Sequence, residues 1–500
     1  MSDKQMKKIV IIGGGIAGLS AGCYAKMNGY DAHIFEMHNL PGGLCTSWKR
    51  KGYTFDNCIH WLSGTSSKST FHRIWQELRA IQGKEIYYKE MSIKLFLKDQ
   101  IINFYNDPDK LAQYLKKIAP EDSHMIDELA ESVRKMYLLE YMPLTKAKEL
   151  FNIIDKFKMI ISFFPFLWFF KKYMKTKIDE FADRFKNPVL QQAIRSIKGL
   201  SPSDEFIGIP FLIASKDAGF PQGGSLKFAK SIEQRYTSLG GKIHYGAKIK
   251  NILVTNNQAV GIQLEDGTEV KSDIVISAAD GYSTIFRMLD GKFINKKIRH
   301  IYENEPVVPS NLQVSIGVDM DLSSDANLSN SVYYLYELDK PIMIAGEEKK
   351  HIHIKNYAFD PTFAPKGKST LVVAFYVKSA YWEQIYKDKA KYKQEKQNVE
   401  TAVIDSLEQI IPGIKEKIEV IDVSTPMTLT RYTNNWQGSI MGFKNGLVLN
   451  IPRTLPKLKN FYMAGQWVGD AGLPGAAGSG REILEYICKK DKKRFITTKP

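Results

Sequence analysis

An apolar, β-branched run, Lys8–Ile12, opens the patterned part of the chain and reads as a strand buried on both faces. Gly13, Gly15 and Gly18 follow at once in the spacing G-x-G-x-x-G. Apolar positions then recur at helical period through Ala17, Leu19, Ala21, Tyr24 and Ala25, which predicts a helix over 17–28 with Gly29 at its end. Asp31–Glu36 returns to a strand pattern and finishes on an acid. Strand, glycine turn, helix and strand in this register are the dinucleotide-binding unit. Gly13 allows the tight turn, Gly15 the approach of a pyrophosphate, and Gly18 close packing of helix on strand. The helix start offers free N–H groups to the phosphates. Glu36 falls about 20 residues on, where a carboxylate accepts from the ribose hydroxyls and repels a 2′-phosphate, which disfavours NADP.

Further along, 93–97 and 101–105 predict a hairpin. Helical patterns cover 109–118, 121–140 and 146–157. Met159–Phe170 is almost wholly apolar, with Pro165 in its middle. After the turn 219–224, Ser225 is placed to N-cap a helix reaching Leu239. Strand signals at 242–245, 249–254, 259–264, 268–271 and 274–277 then suggest a return to the first domain, adding strands to its sheet. Alternating runs at 312–318, 332–338, 351–357 and 370–377, a helix over 394–411, a strand at 461–465 and a final helix over 479–489 complete the pattern. The segments 1–85, 218–290 and 426–500 read as one nucleotide-binding domain. Those at 86–217 and 291–425 read as an inserted α+β substrate domain.

Composition adds a net charge of +16, carried mostly by lysine, on 500 residues. No nucleic-acid motif accompanies it, so nucleic acid is not expected as a partner. An anionic membrane surface is one reading of the charge, and a solvated lysine-rich surface is the other. Lysines 146, 148, 156 and 158 precede Met159–Phe170, and 171, 172, 175 and 177 follow it. The run is too short to span a bilayer, so it suits an interfacial contact or a buried helix beneath a substrate cavity. Four cysteines without C-x-x-C spacing and an N-terminus running straight into a strand suggest a reduced, cytoplasmic protein, peripheral to the inner face of the membrane.

Three separated segments agree: the glycine turn with Glu36, GFPQGGS with its following strands, and FYMAGQWVGDAGLPGAAGSG near the end. Together they resemble the FAD-dependent phytoene desaturase family, which includes carotenoid isomerases and retinol saturases. The stretch Phe55–Trp61 is similar to the retinol saturase version, FDTGIHY. Cys58 stands where that branch has Gly, and Leu44 where desaturases place Arg. The resemblance implies an α/β fold: a Rossmann-type FAD-binding domain, glutathione-reductase/amine-oxidase-like, with an inserted α+β substrate domain. It implies that Gly13, Gly15, Ile16, Ala17, Gly18 and Glu36 hold the ADP half of FAD. Gly42, Gly43 and Leu44 would pass the pyrophosphate and ribityl chain, and Ile249 would contact adenine. Gly465, Asp470, Pro474, Gly475, Ala476 and Ala477 would lie at the flavin end.

The expected activity is desaturation, saturation or isomerisation of a long apolar lipid such as a carotenoid, retinoid or other isoprenoid. Without a second G-x-G-x-x-G, electrons would pass to a quinone, oxygen or another carrier. No residue cluster suggests a metal. His60 and Trp61 are the candidates for facing the flavin, with a structural loop role the other reading of His60. Tyr432 and Trp436 are cavity candidates or core aromatics. A long apolar tunnel opening near Met159–Phe170 is expected. A flavin amine oxidase, an FAD-containing fatty-acid hydratase and a prenyl-lipid escort of the GDP-dissociation-inhibitor type remain as alternatives.

Overall fold

The computed structural model describes residues 6–140, 146–444, 446–469 and 471–497. The first strand, β1 (Lys8–Ile12), is buried, and helix α1 (Ile16–Met27) is buried on all sides. A helix apolar all round can only lie inside, and α1 is covered by the sheet below it and two helices beside it. Strand β2 (Asp31–Phe35) pairs parallel with β1. They belong to a five-stranded parallel sheet in the order 461–463, 274–277, β1, β2, 242–244. Ile11 lies beside Ile34 on one side and Ile276 on the other, so the sheet centre is aliphatic.

The strands at 249–255, 258–264 and 269–271 do not extend this sheet, contrary to expectation. They form a separate antiparallel sheet of three. Their half-exposed alternation lets only one face pack, through Ile249, Ile252 and Ile262, against Val10, Ile12 and Phe35.

A seven-stranded sheet runs in the order 418–424, 310–318, 369–377, 347–356, 331–344, 91–96, 101–105. Chain segments more than 200 residues apart thus share one sheet. Here 91–96 pairs parallel with 331–344, Tyr333 beside Ile93, while every other pair is antiparallel. Two of its neighbours matter below: β3 (Tyr53–Asp56), which packs against it, and β4 (Glu347–Asn356) within it.

Four helical expectations change. Helix α2 (Ile153–Tyr173) starts later than expected, at an Asn152–Asp155 capping box, and runs unbroken through Pro165. Ile161 and Pro165 are both exposed, so the carbonyl freed by the missing N–H is not trapped in a core. Helix α3 (Gly224–Ser238) begins after Gly223, whose φ of 85° is left-handed, and Ser225 lies inside it rather than at its cap. The helix expected from 394 starts at Lys389, capped by Asp388. Helix α4 (Gly472–Lys490) begins seven residues early and absorbs the Gly/Ala stretch. That stretch is small because α4 crosses α1 closely. A Cβ on Gly480 would stand 2.6 Å from the Ala17 carbonyl oxygen, and the Ser20 hydroxyl donates to the Ala477 carbonyl at 2.6 Å.

Candidate functional site

The turn after β1 is built for a close-lying ligand. Gly13 takes φ 96°, which bends the chain directly into α1. A Cβ at Gly18 would stand 1.9 Å from the Gly13 oxygen, so close packing of the helix on the turn requires glycine there. Gly15 differs. The nearest atom to a Cβ there is the Gly42 oxygen at 3.9 Å, leaving open space. Gly42 donates its N–H to the Gly14 carbonyl at 2.9 Å and brings Gly43 opposite Gly15. The start of α1, at Ile16, Ala17 and Gly18, has no side-chain cap and no acid in its first turn. Uncapped N–H groups facing a gap lined by glycine fit a phosphate.

Glu36 closes one end of this cradle. Its Oε2 accepts from Gly14 N–H at 2.6 Å and its Oε1 from His38 N–H at 2.8 Å. Burial raises its pKa, and these backbone donors pull it back toward the carboxylate. The Glu36 carbonyl accepts from Ala247, which brings buried Ile249 to the same edge of the fold. The last segment reaches the other side. Gly465, at φ 96°, donates to Ser479 Oγ at 2.8 Å, and a Cβ on it would meet Ala17 at 3.3 Å. Pro474, Gly475 and Ala476 are half-buried in the uncapped first turns of α4, with Ala477 buried behind them. Leu44 is half-buried, its carbonyl accepting from Thr46 N–H and the Asn57 amide. Asp470 lies outside the described residues.

Asp56, at the end of β3, is the hub that the sequence reading missed. Its carboxylate is buried and accepts from Ser225 N–H and Oγ, both at 2.6 Å, and from the N–H groups of Cys58 and Ile59. Its own carbonyl accepts from Gln313 of the seven-stranded sheet at 2.9 Å. One side chain therefore fixes the start of α3, the loop 57–61 and the contact with the large sheet.

That loop delivers His60 and Trp61 to the lining of a small cavity of about 20 Å³, shared with Lys355, Tyr357, Phe359 and Lys89. The space holds about one water-sized group. Its lining contains no residue of Met159–Phe170, so it is not the long tunnel expected. Lys355, on β4, donates to His60 Nδ1 and stands 5.3 Å from the centre of the Tyr333 ring. Burial, with Lys355 and His353 beside it, holds the His60 pKa well below its usual value, so the imidazole is neutral. Tyr432 is exposed and packs edge-on against His38, while Trp436 joins an aromatic cluster with Tyr282, Tyr302 and Trp467. Neither lines this cavity. Among the described residues there is no cluster able to hold a metal ion, and no helix is long and apolar enough to cross a membrane.

Residues 11–78 match the NAD(P)-binding Rossmann-like domain model. The chain is 25% identical to the all-trans-retinol 13,14-reductase of Danio rerio, covering 95% of this chain and 85% of that protein. It is 24% identical to the chloroplastic prolycopene isomerase of Daucus carota, over 93% and 76%. It is 23% identical to the 4,4'-diaponeurosporene oxygenase of Staphylococcus haemolyticus, over 97% of each. Among solved structures, an oxidoreductase from Methanosarcina mazei superposes with TM-score 0.58 at 18% identity, over 96% of this chain and all of that one. The cyclohexylamine oxidase of Brevibacterium oxydans superposes with TM-score 0.61 at 11% identity, over 98% of this chain and all of that one. These structures share the fold.

Proposed function

We propose that this chain, which resembles the phytoene desaturase, carotenoid isomerase and retinol saturase family along nearly its whole length, is an FAD-dependent oxidoreductase of polyene or isoprenoid lipids. The observation that carries the cofactor is the open cradle between Gly15 and Gly43, facing the uncapped start of α1 and closed by Glu36. Gly13, Gly15, Ile16, Ala17, Gly18 and Glu36 hold the ADP half. Gly42, Gly43 and Leu44 line the pyrophosphate and ribityl path, Ile249 backs the adenine, and Gly465 with Pro474–Ala477 lies at the flavin end. When bound, FAD supplies a two-electron acceptor or donor for the C–C or C=C bond. The protein's part is to bind, orient and keep water out. Trp61, Tyr357 and Phe359 give the cavity apolar walls, and neutral His60, whose Nδ1 accepts from Lys355, keeps its Nε2–H as a donor. Quinone, oxygen or another carrier completes the electron balance.

A flavin amine oxidase is disfavoured by the same cavity. Two lysines and no carboxylate line it, which repels an ammonium substrate. Helix α2 supplies an apolar surface suited to a lipid bilayer. Only Phe166, Phe169 and Tyr173 of it are buried, while Ile154, Phe157, Phe164, Leu167 and Trp168 are exposed. Exposed Lys156, Lys158, Lys171 and Lys175 flank that face. An apolar helix face rimmed by lysine is complementary to an anionic bilayer, and attachment there is part of this reading.

The test is the purified protein itself. Stoichiometric, extractable FAD and its anaerobic reduction or reoxidation by a retinoid or carotenoid are expected. Colourless protein that takes up no FAD on reconstitution would overturn the proposal.

A further inference from the structure

The cavity at His60 has an electrostatic character that a hydrocarbon substrate does not require. Its basic lining groups are Lys355, Lys89 and His60, and no carboxylate lines it. Lys355 is 6% exposed. Among the described residues its hydrogen-bond partner is a neutral imidazole, and no carboxylate pairs with it. Asp56 acts on it only from a distance, because the Asp56 oxygens are taken by Ser225, Cys58 and Ile59. Several neutral polar lining groups are engaged elsewhere: Ser215 shares a hydrogen bond with Ser92 and Tyr87 donates to Glu85. Asn356 donates to the carbonyls of Leu322 and Leu328, and Ser331 to that of Tyr333. A buried ammonium without an anion is costly, and such a cost persists where a ligand relieves it. Half-buried Lys89 stands over Phe359 at 4.1 Å, adding a second cation to the aromatic wall of Tyr87, Phe220 and Phe359.

The geometry points to a substrate that carries a carboxylate at the end of its apolar chain, with Lys355 as the residue that binds that carboxylate and sets specificity. The cavity has room for one carboxylate oxygen beside Lys355, and the aromatic side chains of Tyr87, Phe220 and Phe359 line the same space. This rests on the lipid reading above and narrows it to acids: retinoid, apocarotenoid or fatty acids rather than the alcohols or hydrocarbons of the same chain.

The experiment titrates FAD-loaded protein with matched pairs, retinoic acid against retinol and oleic acid against oleyl alcohol, following quenching of tryptophan fluorescence. Each acid is expected to bind at least about tenfold more tightly than its alcohol, as a charge-assisted contact gives. Lys355→Met and Lys355→Gln should remove that preference while leaving FAD content unchanged. Equal binding of acid and alcohol, or no binding of either acid, overturns the inference in the wild-type protein alone, whether or not the variants fold. A preference that survives in both variants places the anion elsewhere and overturns it too. Loss of FAD, or a displaced flavin absorption band, in the variants without any acid preference in the wild type would assign the ammonium to the flavin instead. Colourless protein that still prefers acids would sink the FAD reading and leave this one standing.

Discussion

Replacing Lys355 by Met should stabilise the protein in the absence of ligand. Burial lowers the pKa of this lysine from 10.5 to about 7. In the unfolded chain it keeps its proton up to its ordinary value, and in the folded chain only up to about 7. Between those two pH values the unfolded state binds more protons, so this group adds stability as pH rises through the window. Full protonation in the fold costs roughly 5 kcal/mol, at about 1.4 kcal/mol for each pH unit of difference. Near pH 7, where half the folded molecules have already shed the proton, about 4 kcal/mol remains; near pH 9.5 only about 1–2 kcal/mol does. Methionine carries no such cost and keeps the aliphatic stem. It loses the hydrogen bond to His60, which is worth about 1 kcal/mol. The net expectation is a gain of about 2–3 kcal/mol at neutral pH, shrinking by about that amount toward pH 9.5, in line with other buried charges replaced by apolar groups. Urea melts of the two proteins at both pH values measure the difference of differences and cancel every other titrating group. A Met variant less stable than wild type at pH 7 would mean that Lys355 is paired with an anion. An advantage that does not change with pH would mean that ordinary packing, not the charge, is responsible.

Three further outcomes follow from particular contacts. Gly15→Val should abolish FAD binding and leave the melting transition of the apoprotein nearly unchanged, whereas Gly18→Ala should destabilise the fold itself, because its Cβ would strike the Gly13 oxygen; FAD content and apoprotein melts separate the two. Asp56→Ala strips the acceptor from four buried or half-buried donors and should cost roughly 3–5 kcal/mol by urea denaturation; a loss below about 1 kcal/mol would remove its role as the hub. Phe164→Asp combined with Trp168→Asp, both exposed at 71% and 67%, should prevent flotation with anionic liposomes at low salt without lowering stability; unchanged flotation would reject α2 as the contact.

The cradle for the dinucleotide was legible because its determinants are local. Gly13, Gly15 and Gly18 sit within six residues, and each answers to a requirement of one turn. The spacing to Glu36 is set by the length of one helix and one strand. The small residues near the end were legible as a set but not in their state. Their function is the crossing of α4 over α1, so they belong to a helix that low intrinsic propensity argues against, and tertiary packing overrides the propensity. Pro165 likewise argues against a continuous helix by type, yet on the exposed side of α2 it removes one bond without trapping a carbonyl in the core. Ser225 offered good cap chemistry two residues too late, because Gly223 in the left-handed region turns the chain first and Asp56 supplies the acceptor from elsewhere.

The charged cavity was hidden for a different reason, although its signal was present. The run His351-Ile352-His353-Ile354-Lys355 alternates with period two, as any half-exposed strand does. On that reading the two histidines and the lysine face water. In the fold Ile352 and Ile354 are fully buried in one core, while His353 and Lys355 on the opposite face are nearly as buried, at 8% and 6% exposure. What covers them is the loop carrying His60 and Trp61, almost 300 residues earlier, which Asp56 holds against the sheet. Period alone reports that two faces differ. Whether the polar face meets solvent or a second layer depends on a contact between distant segments, and only that contact turns a lysine from surface charge into a buried cation poised for an anion.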